Sequence, residues 1–218
     1  MDTSRSLDFT IGPFPVRVHL SFLLVTLLIG FNVSNLFLTL TWVLVVFFSI
    51  LVHELGHALV AEYYGMFPII QLYSMGGLTI PGRSRKLTHL QEILLSLAGP
   101  TAGFLLGLLV FLAGQLLGTS APVLVYQILS QLLWVNIGWG ILNLIPMLPL
   151  DGGQVMRNLW QWFRRSTDER TPLIISIGVG VLVIIAALVF GQIYGALLGF
   201  FFTFNNFMAL RSGRNMIF

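Results

Sequence analysis

The amino-acid sequence predicts an all-α polytopic membrane protein: six transmembrane helices, with a short membrane-associated β-hairpin between the second and third. Three observations lead there. Charged residues are 9% of the 218-residue chain and apolar residues 56%, against about 25% charged in soluble domains, so 11 basic and 8 acidic side chains are too few to cover a soluble surface. Six apolar stretches each approach or exceed the roughly 20 helical residues that cross a hydrocarbon core. The basic residues are confined to alternate connectors.

Taken in order, the first stretch covers about residues 15–32, with Arg5 and Arg17 at its start. No small-residue cleavage site follows it, so it reads as a retained span rather than a removable signal. The second covers about 36–64 and the third about 90–117, with Arg83, Arg85 and Lys86 between them. The fourth, about 122–150, is separated from the fifth, about 172–190, by Arg157, Arg164, Arg165 and Arg170. The sixth covers about 193–210 and is followed by Arg211 and Arg214. Connectors at 33–35, 118–121 and 191–192 carry no basic residue, so all 11 lie on one side of a six-span arrangement. The positive-inside rule makes that side the cytosol, with both termini there. Spans two to four exceed the minimum and are expected to tilt or protrude.

Two connectors are more than loops. Residues 66–81, MFPIIQLYSMGGLTIP, contain two β-prone runs separated by Gly76-Gly77, a hairpin signal. Such backbone at membrane depth must be buried in protein or line a polar cavity. Residues 154–165, QVMRNLWQWFRR, mix Trp160, Trp162 and Phe163 with arginines and read as an interfacial helix on the cytosolic face, or as a plain amphipathic connector. Gly99, Gly103 and Gly107, and again Gly191, Gly195 and Gly199, have the four-residue spacing that lets membrane helices pack closely. The chain has no cysteine, which excludes disulfides, thiolate metal sites and a cysteine nucleophile. Its basic groups form no run that would track phosphates, so the bilayer and not nucleic acid is the expected partner.

Ionisable residues inside a span are costly and therefore informative. The second stretch contains His53-Glu54-Leu55-Gly56-His57. Residues i and i+4 share a helix face, so both imidazoles can meet one metal ion. Glu54 stands beside that metal, where a carboxylate can take a proton from activated water. The plainer reading, two histidines satisfied in a bundle interior, has to account for the adjacent glutamate as well. Catalytic zinc usually takes three protein ligands and a water. Among the other acidic residues only Asp151 directly follows an apolar span, in the run NLIPMLPLDGG from Asn143 to Gly153. Two prolines and a double glycine there break the helix, at a depth matching that of the histidines. Asp151 is a candidate third ligand; an N-cap for the following helix is the alternative.

HELGH on one span, Leu97-Ala98-Gly99-Pro100 at the start of the next and NLIPMLPLDGG on the one after resemble the site-2 protease family of intramembrane metalloproteases. The segment around Ser74-Met75-Gly76-Gly77 resembles that family's glycine-containing hairpin, and Val16-Arg17-Val18-His19 the start of its first span. The resemblance covers roughly residues 10–165; spans five and six carry no matching motif. It implies one zinc per chain held by His53, His57 and Asp151, with Glu54 as the catalytic base. Asn143 matches an asparagine thought to position substrate or the reacting carbonyl, with an interhelical hydrogen bond as the other reading. Asn136, seven residues earlier, is expected to be structural. The hairpin residues Tyr73, Ser74, Met75, Gly76, Gly77 and Leu78 are the implied substrate edge.

The expected protein is a single peptidase domain over 1–218, with a catalytic core of about 36–165 and peripheral helices at about 15–32, 172–190 and 193–210. It is a minimal form, without the PDZ or CBS domains of many relatives and open to control by a separate regulatory protein. It would cut transmembrane segments of single-span membrane proteins in a prokaryotic plasma membrane, from an active site opening to the cytosol. Two other readings use the same residues: a membrane-embedded metallohydrolase for soluble peptides or lipids, and a zinc-binding scaffold or transporter without protease activity. Three nitrogen and oxygen ligands would also accommodate cobalt or iron.

Overall fold

The computed structural model describes residues 6–30, 35–118 and 122–213. Arg5, Arg214, the end of the first predicted span at 31–32, and residues 33–34 and 119–121 of the predicted connectors lie outside the described residues. Eight α-helices and four strands are described: β1 (Ser6–Ile11), β2 (Phe14–His19), α1 (Leu20–Gly30), α2 (Leu36–Tyr63), β3 (Pro68–Tyr73), β4 (Gly76–Pro81), α3 (His89–Leu117), α4 (Val123–Leu133), α5 (Trp139–Asn143), α6 (Asp151–Arg164), α7 (Arg170–Val189) and α8 (Ile193–Ser212). A π-helical turn, Trp134–Gly138, joins α4 to α5. Five helical runs are long and apolar enough to cross a membrane: α2, α3, the continuous run Val123–Asn143, α7 and α8. The first predicted span differs. Its opening residues form β2, and α1 has only 11 described residues, roughly 16 Å at 1.5 Å per residue, short of the ~30 Å hydrocarbon thickness.

The chain divides into two compact units. The first holds the residues up to Lys86 together with Ala98–Ile141. It contains a four-stranded sheet in the order β1-β2-β3-β4, with β2 and β3 parallel and the outer pairs antiparallel. Phe14, Val16 and Val18 alternate inward on β2, as do Ile70 and Leu72 on β3. They pack on Phe22 of α1 and on Ile50, Leu51 and Ala58 of α2 to form the core. The predicted hairpin is β3–β4, but its turn falls at Ser74-Met75, and the glycine pair read as the turn belongs to β4. Gly76 has φ +122°, which a side chain would strain, and Gly77 serves a close approach described below.

Helix α2 starts where the Asn35 side chain accepts the Leu38 N–H at 3.1 Å, a side-chain cap on an otherwise orphaned donor. It stops at Gly65, φ +72°. There the Gly65 N–H reaches the Glu62 carbonyl and the Met66 N–H the Ala61 carbonyl, the paired bonds of a Schellman ending. In the middle, Asn136 of the π-helical turn donates to Ser49 Oγ at 2.9 Å and to the Leu132 carbonyl at 2.8 Å. Asn136 therefore ties the turn to α2, the structural role expected of it.

The second unit holds Leu87–Leu97 and the chain from Leu142 onward. After α5 ends at Asn143, residues 144–150 fold back over the start of α6, with the Leu148–Pro149 peptide bond cis. The two glycines after Asp151 make this possible. A Cβ on Gly152 would overlap the Leu144 carbonyl, and one on Gly153 would overlap the backbone of Met147 and Leu148. Helix α6 is strongly amphipathic in sequence, with Trp162 and Phe163 exposed and Arg164 5.0 Å over the Trp160 ring. Helices α7 and α8 meet where Gly180 abuts Thr203 and Gly199 lies against Ile184. Gly191, by contrast, sits at φ +68° with open space around it, so it ends α7 rather than extending a packing stripe.

Gly153→Ala is expected to lower stability by about 1–3 kcal/mol, the usual cost of overpacking. Gly178→Ala, which meets nothing within 4 Å, should be neutral or slightly stabilising, because alanine is the better helix former. Thermal unfolding of the two variants in detergent checks the contrast.

Candidate metal centre

His53, Glu54 and His57 are buried on α2, at 5%, 5% and 9% exposure. The helical repeat brings the two imidazoles together, ring centroids 4.9 Å apart and nearly perpendicular. Their Nε2 atoms are 3.2 Å apart. Two nitrogens bound to one tetrahedral zinc ion at 2.0–2.1 Å would lie about 3.3 Å apart, so the pair fits such an ion. A second observation agrees. Gly99 on α3 faces both imidazoles, and a Cβ there would overlap His57 Nε2 and come within 2.7 Å of His53 Nε2. The glycine of the Leu97-Ala98-Gly99-Pro100 motif thus leaves clear the space in front of both nitrogens. Gly56 permits the approach from the other helix, since its Cβ would stand 2.5 Å from the Ala98 carbonyl oxygen.

Glu54 projects toward the sheet. Its Oε2 accepts a hydrogen bond from Thr79 Oγ1 at 2.7 Å, and that hydroxyl is also 3.1 Å from the Glu54 carbonyl oxygen. Gly77, two residues before Thr79, lies flush against the same side chain: a Cβ there would overlap Glu54 Oε1. Tyr73, half-buried at the end of β3, has its phenol pushed above the ordinary value, first by burial and then by the Glu54 charge. The hairpin therefore packs on the carboxylate through β4. Ser74 and Met75 form the turn, Leu78 lies mid-strand, and a Cβ on Gly76 would stand 3.5 Å from the Trp139 ring.

Asp151 is the first residue of α6, and Leu150 occupies the N-cap position with no side-chain cap. Asp151 thus lies one residue past the N-cap position, within the first turn of α6. Asn143, the last residue of α5, is half-buried and belongs with Asp151 to the second unit. Thr79 escaped the sequence reading, because a lone threonine in a β-prone run has no signature until its partner is known.

A helix carrying His-Glu-x-x-His against a sheet edge, in a chain with five helices of membrane length, defines a class: membrane-embedded proteins with a metallopeptidase-type metal helix. The sequence profile of Peptidase family M50 matches residues 41–125 and 118–187, and the chain belongs to that family. A zinc metalloprotease of Methanocaldococcus jannaschii is 31% identical over 153 residues, covering 68% of this chain and 43% of that protein. A Synechocystis protein named as a zinc metalloprotease is 33% identical over 171 residues, covering 72% of this chain and 44% of its own length. The chain thus spans less than half the length of these curated relatives. The solved site-2 protease from M. jannaschii matches with a TM-score of 0.67 and 26% identity, covering 98% of this chain and 99% of that one. The family resemblance read from the motifs is borne out, and this M50 member is a multi-pass integral membrane protein.

Gly99→Ala is expected to displace both imidazoles and to reduce zinc bound per chain at least about tenfold, the scale on which ligand-orienting changes act. Gly103→Ala, one turn along α3, meets its nearest atom at an ordinary 3.5 Å and should bind as the parent does. Metal analysis after dialysis against a weak chelator separates the two, whereas a pure packing stripe would be equally sensitive at both positions.

Proposed function

We propose that this chain is an intramembrane zinc endopeptidase that cuts transmembrane segments of single-span membrane proteins, working as one peptidase domain with one zinc ion. In this reading His53, His57 and Asp151 hold the ion and Glu54 is the general base. The observation that carries it is the position of Glu54, next to the imidazole pair along α2 and in contact with Gly77 and Thr79 of an edge strand. Metal storage has no need of a buried carboxylate against an extended edge.

A transmembrane substrate hides its peptide bonds in helical hydrogen bonds, so it must unwind before it is cut, and an edge strand can replace the bonds it loses. Strand β4 ends the sheet. The Gly82 N–H bonds to the Phe67 carbonyl at 3.1 Å, which sets the phase of the β3–β4 ladder. Hydrogen-bonded pairs alternate in an antiparallel ladder, so the backbone groups of Gly77 and Thr79 point to the free edge. An added substrate strand would bond to the two residues that also touch Glu54.

Bound zinc supplies Lewis acidity toward the scissile carbonyl and lowers the pKa of a water molecule. Glu54 accepts the proton lost as the water oxygen adds to the carbonyl carbon. It delivers that proton to the amide nitrogen as the carbon–nitrogen bond breaks. Thr79 holds Oε2 and so orients the carboxylate, leaving Oε1 on the Gly77 side to carry the proton. Asn143 steadies the substrate carbonyl in this scheme. The connectors bearing Arg83, Arg85 and Lys86, and Arg157 to Arg170, face the cytosol of a prokaryotic cell, and water enters from that side.

Glu54→Gln should retain zinc and lose about 10²–10⁴-fold in cleavage rate, whereas Asp151→Ala should lose zinc or bind it far more weakly. A Glu54→Gln protein that still cuts, or an Asp151→Ala protein with unchanged zinc, would sink the assignment.

Thr79→Val should keep zinc and KM and lower kcat about 10–100-fold, the scale of a hydrogen bond to a charged group, with Thr79→Ser restoring it. A change in KM alone would mean that Thr79 serves only the substrate edge.

The chain has no cysteine, so orientation can be read from single substitutions. Arg85→Cys should be labelled from the cytosolic side only and Gln192→Cys from the opposite side only.

A further inference from the structure

Helices α7 and α8 carry no sequence motif, yet each sends one polar side chain to the same residue. Ser176 Oγ of α7 accepts the Leu148 N–H at 3.1 Å. Asn206 Nδ2 of α8 donates to the Leu148 carbonyl at 2.7 Å. Both side chains are fully buried, at 0% exposure, and Leu148 is at 1%. A polar residue on an apolar helix usually satisfies itself on its own preceding turn, as Thr203 does on the Gly199 carbonyl and Asn205 on the Phe201 carbonyl. Asn206 reaches across 58 residues of chain instead, and its Oδ1 is left buried without a hydrogen-bond partner. The amide is retained for its donor.

Leu148 precedes Asp151 by three residues, and the chain between them has little freedom. The Leu150 N–H bonds to the Met147 carbonyl at 2.9 Å and the Gln154 N–H to the Leu150 carbonyl at 3.0 Å. Gly153 abuts the Met147–Leu148 backbone. Leu148 and the first turn of α6 therefore move as one body, and whatever fixes Leu148 fixes the carboxylate that opens the helix. We infer that Ser176 and Asn206 are positioning residues for Asp151, acting through the two backbone groups of Leu148. This rests on the reading of Asp151 as a zinc ligand. A ligand on a loop loses affinity when its support loosens, because each new conformer must be frozen out on binding.

The test is zinc affinity of the full-length protein in detergent, measured by competition with a chromogenic chelator. Asn206→Leu and the milder Ser176→Ala are each made in the parent and in an Asp151→Ala background, with Asn205→Leu on the neighbouring, self-satisfied position as control. The expected result is about 10–100-fold weaker zinc binding for each clamp variant, no change for Asn205→Leu, and no further loss once Asp151 is absent. Should Asn206→Leu fail to fold, Ser176→Ala carries the same comparison. Weakening by Asp151→Ala alone, with the clamp variants indistinguishable from the parent, overturns the positioning role and spares the ligand. Equal losses with and without Asp151 overturn it too, since the two helices would then merely hold the unit together. Unchanged zinc in Asp151→Ala itself overturns the ligand reading on which the inference rests.

Discussion

The first unit depends on one turn of α2 being approached at backbone distance from two sides. Along that turn stand two imidazoles and a carboxylate, all buried. Helix α3 meets it at Gly56 and Gly99, and strand β4 meets it at Gly77. At each contact a single methyl group would strike a side-chain or backbone atom. Among apolar lipid chains there is little hydrophobic drive to hold helices together, so close packing and interhelical hydrogen bonds must do it. The glycines allow both, and the Asn136–Ser49 bond one turn before His53 fixes the rotation of α2 within that packing.

Much of this is legible in the sequence. The HELGH spacing puts both histidines on one face, because a helix repeats every 3.6 residues whatever surrounds it. The breaks around Pro146 and Pro149, and the amphipathic character of the helix after them, follow from local chemistry. Strand β2 is hidden because residues 15–32 read as one apolar span, and without it β1 has no visible partner. The signal was present: SLDFTI and FPVRVH alternate polar and apolar residues on either side of Gly12-Pro13, a hairpin pattern. Hydropathy averaged over a span-length window conceals an alternation of period two. The glycine pair likewise reads as a turn, because what Gly77 accommodates is the Glu54 side chain, 23 positions earlier in the chain.

In the second unit the same logic operates with different partners. Gly152 and Gly153 let residues 144–150 lie on the first turn of α6, and buried Met147 and Leu148 hold the loop down. The loop's backbone groups cannot find water there, and an unpaired one would cost free energy comparable to a lost hydrogen bond. Ser176 and Asn206 supply the partners for Leu148. No motif announces them, because a side chain that bonds to backbone places no demand on the identity of the residue it holds. Only the fold reveals which serine and which asparagine are held for this purpose.

A sheet is an unexpected element among membrane helices, and its edges are the difficulty. In hydrocarbon every backbone donor and acceptor must be satisfied by protein, so an open strand edge is tolerated only where it is buried in protein or lines a wet cavity. The outer edge of β4 has no strand partner among the described residues, and the groups it leaves open are those of Gly77 and Thr79. A carboxylate that takes a proton from water, the part proposed for Glu54, needs a path for water as well. The edge and Glu54 therefore require the same polar space, and by meeting at Gly77 and Thr79 they require it at one place. In the proposed peptidase, a substrate strand filling the edge would remove the need of the backbone for water at the moment when its own peptide bond came within reach of Glu54.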